Sequence, residues 1–395
     1  MADKIVLGLA GTVDYEITWD TAVIERLVSE YDIRPAELST QVSVRSERDL
    51  LRSLLAFVRN GTGGERFIAS SDIVDSFASH FGKKITLGGT CVRAAIAMDK
   101  LGVKSTLHLV SIDDHVRRLL PPGCSYICSA SHDTTDPHLI VQFKARTRVR
   151  AGDIDIRSPH PNRLIFAHDP PHEELLISDE LGLTLADAVV FLISGFNVIR
   201  DAAILDQRLA TLKQHMASLS ADCLVHYEDA GFHVPALSRR VNRQLGDVID
   251  VHSMNEDELQ AYLGRTCNLL DADEMAQALV ELRTLLTAPT VVVHTKYWSV
   301  VVGGGADSFT EALRGGVTMA STRYAYGDDF TEDNYNEVAQ APPSRAGATF
   351  ARAIEARMPG LVRCSPAVVM QTARPTMIGL GDSFVGGFLA AGRKP

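Results

Sequence analysis

A basic face is what this chain most lacks. Its 395 residues carry 39 Lys and Arg against 49 Asp and Glu, a formal net charge of −10. No broad positive field is available for nucleic acid or an anionic membrane surface. Any site for a phosphate group must therefore be local. Long apolar runs are missing too. Met1-Ala2-Asp3-Lys4 and the run Ile5 to Ala10 are too brief for a signal peptide or a membrane span, and no later stretch reaches spanning length. Cysteine is sparse: Cys91, Cys124, Cys128, Cys223, Cys267 and Cys364 are scattered, as expected for reduced thiols in the cytoplasm. Cys124, Cys128 and His132 form a C-x3-C-x3-H run that could hold zinc. It has no fourth ligand nearby and sits among Pro, Gly and Ser residues that read as a loop. Repeats, low-complexity tracts and charged tails are also absent.

What is present is the composition of an ordinary globular enzyme, 46% hydrophobic and 22% charged. The length suits one large domain with a smaller appendage. Apolar runs at Ile5–Ala10, Ser105–Val110, Ala188–Ser194, Cys223–His226, Val248–His252 and Thr290–His294 alternate with amphipathic stretches such as Asp201–Leu219, Glu256–Leu263 and Asp273–Leu286. Continuous Val/Ile/Leu strands separated by helices predict an α/β fold with a mostly parallel sheet covered on both faces. Two regions break the alternation. Residues 15–86 mix short strands and helices, and residues 137–166 read as antiparallel strands without crossover helices. They predict a small separate sheet, plausible as a lid, while 1–14, 87–136 and 167–395 form the large domain.

In such sheets ligands sit beyond the carboxyl ends of the strands, which directs attention to the polar residues there. Gly379-Leu380-Gly381-Asp382 leads into the small, apolar stretch Ser383 to Ala391, a loop turning into a helix. Two glycines let the backbone approach a ligand, and the N–H groups of a helix start attract an anion. An aspartate there would repel phosphate. Its better use is to take a proton from an attacking hydroxyl while the N–H groups hold the transferred phosphoryl group. By itself the run also fits a plain N-cap after a flexible turn.

After the strand ending at Val225 comes His226-Tyr227-Glu228-Asp229. After the one through Val251 comes Ser253-Met254-Asn255-Glu256-Asp257-Glu258, which starts a helix. Asn255 and Glu258 share one side of its first turn. With Glu228 they suit Mg2+ held partly through water, or, more simply, an N-cap with its capping-box glutamate. Asp14, after the first strand, can hydrogen-bond a sugar hydroxyl. Gly88-Gly89 precedes a helix and can let its start approach a ligand, or simply turn the chain.

The order of these motifs resembles that of the ADP-dependent sugar kinases, the glucokinase and phosphofructokinase branch of the ribokinase-like superfamily. The runs that carry the likeness are Thr12-Val13-Asp14, Gly61-Thr62-Gly63-Gly64-Glu65, Gly88-Gly89, His138, Asn162-Arg163, Ser194-Gly195-Phe196, His226-x-Glu228, Asn255-x-x-Glu258, His294-Thr295 and Gly379-x-Gly381-Asp382. Each is short, but independent caps and turns would not fall in that sequence. The resemblance implies Asp382 as catalytic base, with the backbone of Gly379, Leu380 and Gly381 as anion hole. It implies Arg163 on the nucleotide phosphates, and His294 and Thr295 beside the nucleotide. Glu228, Glu258 and Asn255 would serve the magnesium site, and Asp14, Glu65, Gly89, Thr90 and His138 would line the sugar.

Departures stand at Thr12, where the family often has Asn, at Thr90, where it often has Gln, and at Asp229-Ala230, where it has Phe-Ala. The last is expected to add a carboxylate near the metal. A glutamate at position 65 goes with glucose in that family, and a carboxylate would repel a sugar phosphate at close range. The expectation is thus Mg-dependent transfer from ADP to a neutral hexose, most simply glucose, by a monomer or small homo-oligomer. The rivals are an ADP-dependent phosphofructokinase, an ATP-dependent ribokinase-type sugar or nucleoside kinase, and a silent sugar or nucleotide sensor. The sensor is disfavoured because Asp382, Glu228 and Glu258 are all present.

Overall fold

The computed structural model describes residues 4–134, 136–372, 375–376 and 378–392. A nine-stranded sheet runs in the spatial order Val362–Pro366, Trp298–Gly303, Thr290–His294, Val251–Asn255, Leu224–Glu228, Ala188–Ile193, Lys4–Leu7, Ser105–Leu109 and Cys124–Cys128. The last seven are parallel to one another, while Trp298–Gly303 and Val362–Pro366 pair antiparallel. Thr290–His294, with three consecutive valines, is buried at every position. This follows from helices covering both faces, because β-branched side chains pack well on a pleated surface and none has to meet water.

A second sheet has five strands in the order Gly64–Phe67, Asn162–Ala167, His138–Phe143, Thr12–Ile17 and Lys83–Gly88. His138–Phe143 and Asn162–Ala167 pair antiparallel. Thr12 to Asp14 begin a strand of this smaller sheet rather than ending one of the large sheet. Arg148–Ala151 and Ile154–Arg157 form a separate hairpin. No helix among the described residues is long and apolar enough to cross a membrane.

The zinc possibility does not survive. Cys124 and Cys128 are the two ends of an edge strand, not parts of a loop. At about 3.3 Å per residue they stand roughly 13 Å apart, too far to share one tetrahedral ion. No group of three or more His, Cys, Asp or Glu side chains that could hold a metal ion is found among the described residues.

Three helices carry the glycine-rich motifs to one place. Leu380–Ala391 packs between Thr310–Tyr326 and Thr90–Asp99. The contact depends on missing side chains: a Cβ on Gly315 would lie 2.6 Å from the Gly387 carbonyl oxygen. Close backbone approach of this kind fixes the helix axis, and with it the turn at Gly379.

Candidate active site

Between the two sheets lies a cleft of about 1420 Å³. The site residues that the resemblance implies all line it: Asp14, Glu65, Gly89, Thr90, His138, Arg163, Glu228, Asn255, Glu258, His294, Thr295, Gly379, Leu380, Gly381 and Asp382. Motifs separated by more than 300 residues of sequence thus face one volume.

The Gly379 turn forms one wall. Gly379 is the N-cap of Leu380–Ala391, with φ +66°, a left-handed conformation that favours glycine. Asp382 therefore sits in the first helical turn and is not the N-cap, and no side chain caps this helix start. The turn lines the cleft, and the N–H groups of the helix start have no acceptor from a capping side chain. The Asp382 side chain is 25% exposed.

Sequence reasoning missed the group that organises this wall, Arg93. It is almost fully buried, its Nη2 is 2.8 Å from Asp14 Oδ2, and its Nε is 3.8 Å from Asp382 Oδ2. Burial works against the guanidinium's charge, but Asp14 and Asp382 more than restore it. Arg93 thereby joins carboxylates from the smaller sheet, Asp14 and, at 3.9 Å, Glu16, to Asp382 of the helix Leu380–Ala391 in one cluster. Thr12 adds to it by donating from Oγ1 to Asp14 Oδ1 at 2.9 Å. The signal was legible in principle: one arginine in the apolar, small-residue helix start Thr90-Cys91-Val92-Arg93-Ala94-Ala95. A buried charge needs a partner, and the partners were the acids already suspected.

At the strand ends a second cluster forms. Glu228 is buried, and His294 Nε2 lies 2.8 Å from its Oε1. His226 Nε2 is 3.5 Å from Oε2, which has no hydrogen-bond partner. Burial would raise the Glu228 carboxyl, but the charge of His294 and the proximity of His226 hold it down at about 2. Asn255 and Glu258 form a complete capping box: Asn255 Oδ1 accepts from Asp257 and Glu258 N–H, and Glu258 Oε2 accepts from Asn255 N–H at 2.7 Å. Burial pushes the Glu258 carboxyl up to about 8, and the neighbouring Asp229 and Glu228 charges push the same way. Mutually repelling, partly dehydrated carboxylates and an orphaned oxygen on Glu228 are a donor set that fits a hard divalent cation. His294 also stacks on Phe384, with ring centroids 4.7 Å apart. The Thr295 hydroxyl closes its own turn, donating to the Trp298 carbonyl at 2.9 Å.

Asp229 does bring a carboxylate beside Glu258, but with its oxygens already engaged. Its carboxylate is engaged inside the protein, by Tyr262 Oη at 2.7 Å, Tyr227 Oη at 3.2 Å and His252 Nε2 at 3.2 Å. A strand end shows which residue type is present but not which partners it takes: two tyrosine hydroxyls engage this carboxylate, while its charge still acts on Glu258 beside it. Asp229→Ala is expected to cost about 1–3 kcal/mol of stability, the range for orphaning buried polar partners. The Mg2+ concentration needed for activity should shift far less than in Glu228→Gln, because Asp229 acts on the donors only through its charge. Thermal melting and a metal titration on the same variant check both halves.

On the smaller sheet, His138 Nε2 lies 3.0 Å from Asp169 Oδ2. Burial would lower the His138 pKa, but the Asp169 carboxylate raises it above the ordinary value. Glu65 is approached by His233 Nε2 at 3.3 Å. Desolvation would raise the Glu65 carboxyl, and the hydrogen bond and charge of His233 bring it below the usual range instead. Arg163, on the strand Asn162–Ala167, is exposed and faces the cleft. Asp169 and His233 were not anticipated, because each pairs with a residue far away in the sequence.

Residues 3–341 match the family described as ADP-specific Phosphofructokinase/Glucokinase conserved region. The Gly379–Asp382 turn lies beyond that match. Three solved structures extend the likeness over nearly the whole chain. A hypothetical ADP-dependent phosphofructokinase from Pyrococcus horikoshii OT3 superposes with a TM-score of 0.79 at 17% identity, covering 99% of this chain and 97% of that one. A phosphofructokinase from the same organism with AMP gives 0.78 at 16%, covering 99% and 98%. An ADP-dependent kinase in complex with fructose-6-phosphate and ADPβS gives 0.71 at 14%, covering 98% and 93%. At such identities these structures establish the shared fold. No curated protein matches the chain.

Proposed function

Since the chain belongs to the ADP-specific phosphofructokinase/glucokinase family of sugar kinases, with a ribokinase-like α/β fold, we propose that it transfers the terminal phosphoryl group of ADP to a hydroxyl of a neutral hexose, glucose or a close analogue. The observation that carries this is the Gly379–Asp382 turn. An uncapped helix start and a carboxylate held by Arg93 face the same cleft as Asp14 and the carboxylate cluster.

Each step follows from the residues. Asp14, His138 and Glu65 orient the sugar with one hydroxyl toward Asp382. Asp382 accepts the proton of that hydroxyl as it attacks. The N–H groups of Gly379 to Asp382 receive the negative charge that gathers on the equatorial phosphoryl oxygens, and Arg163 adds its charge from the smaller sheet. Glu228, Glu258 and Asn255 would hold Mg2+, which when bound supplies positive charge to the nucleotide phosphates. His294 keeps Glu228 oriented. The smaller sheet closes over the sugar and excludes water, limiting wasteful hydrolysis of the nucleotide.

The acceptor preference rests on Glu65 and Asp14, two carboxylates where a sugar phosphate would need cations. A phosphorylated acceptor is the second reading, favoured by His233 beside Glu65 and by Arg66 and Arg200 around it. An acceptor screen with ADP as donor separates the two. Glucose or another neutral hexose is expected to support turnover well above fructose 6-phosphate. Robust use of fructose 6-phosphate with none of glucose overturns the preference.

A further inference from the structure

The carbonyl immediately before the Gly379 turn is held by a group that the reaction itself does not need. Arg323 is buried in the helix Thr310–Tyr326, and its Nε donates to the Ile378 carbonyl at 2.8 Å. Its Nη1 lies 2.6 Å from Asp328 Oδ1. The second oxygen of that carboxylate, Oδ2, lies 2.6 Å from Lys84 Nζ. Lys84 belongs to Lys83–Gly88, the edge strand of the smaller sheet. An unbroken run of three contacts therefore leads from the smaller sheet, through one bidentate carboxylate and one buried guanidinium, to the residue preceding Gly379.

Both faces of the turn are held by arginines. Arg93 lies against Gly379 so closely that a Cβ there would meet its Cδ at 2.9 Å, while Arg323 fixes the carbonyl on the preceding residue. The neighbouring segment rides on the same helix, since Thr376 N–H donates to the Tyr324 carbonyl at 3.0 Å. A buried guanidinium needs its counter-ion. Asp328 is that counter-ion, and it is shared with a lysine on the other sheet.

We propose that Arg323 and Asp328 are positioning residues that couple docking of the smaller sheet, through Lys84, to the geometry of the Gly379–Asp382 anion hole. The proposal rests on the phosphoryl-transfer role of that turn. When the smaller sheet closes, Lys84 engages Asp328, Asp328 orients Arg323, and Arg323 sets the peptide that leads into the helix start. With the smaller sheet docked as it is here, the whole run is in place and the turn is held ready before any sugar is covered.

Two measurements test it. In the first, amide hydrogen exchange is followed in the peptide containing residues 378–384, in ligand-free protein, for wild type, Lys84→Met and Arg323→Met. Exchange in that peptide should quicken in both variants, although Lys84 lies on the other sheet. Unchanged exchange in Lys84→Met overturns the coupling, whatever the protein's activity proves to be. In the second, kinetics are compared for Lys84→Met, Asp328→Asn and their combination, with Arg323→Lys as the conservative variant. Arg323→Met should lower kcat by about 10–100-fold, as expected when a reacting geometry loosens by a fraction of an ångström. KM for ADP should move less than about twofold, and Arg323→Lys should recover part of the loss. The double variant should lose no more than Asp328→Asn alone, since both act through one carboxylate. Additive losses, or a fall in melting temperature with kcat per folded molecule unchanged, reduce these residues to structural ones. Wild-type protein that phosphorylates no sugar would count against the proposed function, and the exchange experiment would still decide the coupling.

Discussion

Asp382→Asn is expected to lower turnover by about 10²–10⁴-fold, the range for removing a positioned general base. The substitution keeps the size of the side chain, and ADP affinity should stay within about threefold because the helix-start N–H groups are untouched. Arg93 makes the experiment informative. Asp382 Oδ2 is one of the oxygens near its guanidinium, at 3.8 Å, but the closer partner is Asp14 at 2.8 Å. The buried arginine therefore keeps its main counter-ion in the variant, and the fold should hold. Steady-state rates together with calorimetric ADP binding check the prediction. Near-normal turnover would remove Asp382 from the role of base.

Glu228→Gln is expected to raise the Mg2+ concentration needed for half-maximal activity by about 10–100-fold, the scale of losses reported for groups that support a metal site. The same cluster has a pH signature that needs no turnover. Glu258 titrates at about 8 in the folded chain, above its ordinary value of 4.5. Between those two values the folded state carries a proton that the unfolded state has released. Without Mg2+, this group's contribution to stability must therefore fall as pH rises from about 4.5 to 8. Glu228 has the opposite shift, down to about 2. Its contribution is present above the ordinary carboxylate value and is lost only as pH falls below it, in a separate window. Saturating Mg2+ should flatten the decline toward pH 8, because a cation favours the ionised carboxylates. Glu258→Gln should flatten it with no metal at all. Melting temperatures measured across pH 5–8, with and without Mg2+, test this. A slope unchanged in Glu258→Gln would mean that this carboxylate is not its source.

What could be read from the chain follows from which forces are local. The parallel strands were legible because runs such as Thr290–His294 are apolar throughout, and only a doubly covered sheet hides both faces. The pairing of Trp298–Gly303 and Val362–Pro366 was not, since antiparallel partners separated by a long helical insertion leave no local mark. The helix starts at Gly379 and Asn255 were visible as glycine and cap chemistry. The side-chain alliances across them were invisible. Arg93 with Asp14, Glu65 with His233 and His138 with Asp169 each join segments 31 to 168 residues apart, and only the fold brings them together. Asp229 makes the same point in reverse. Its residue type and position suggested a carboxylate near the metal, and its charge does act on Glu258, but that its oxygens are taken by partners such as Tyr262, 33 residues on, left no mark in the sequence.

This cleft is expected to move a phosphoryl group from ADP to a sugar hydroxyl. The most direct test is 31P NMR of the purified protein with glucose, Mg2+ and either ADP or ATP, following every phosphorus-containing species. With ADP, AMP and a hexose monophosphate should appear in equal amounts at the same rate, and ATP should be a much poorer donor. ATP outperforming ADP, or AMP released with inorganic phosphate and no sugar phosphate, would contradict it.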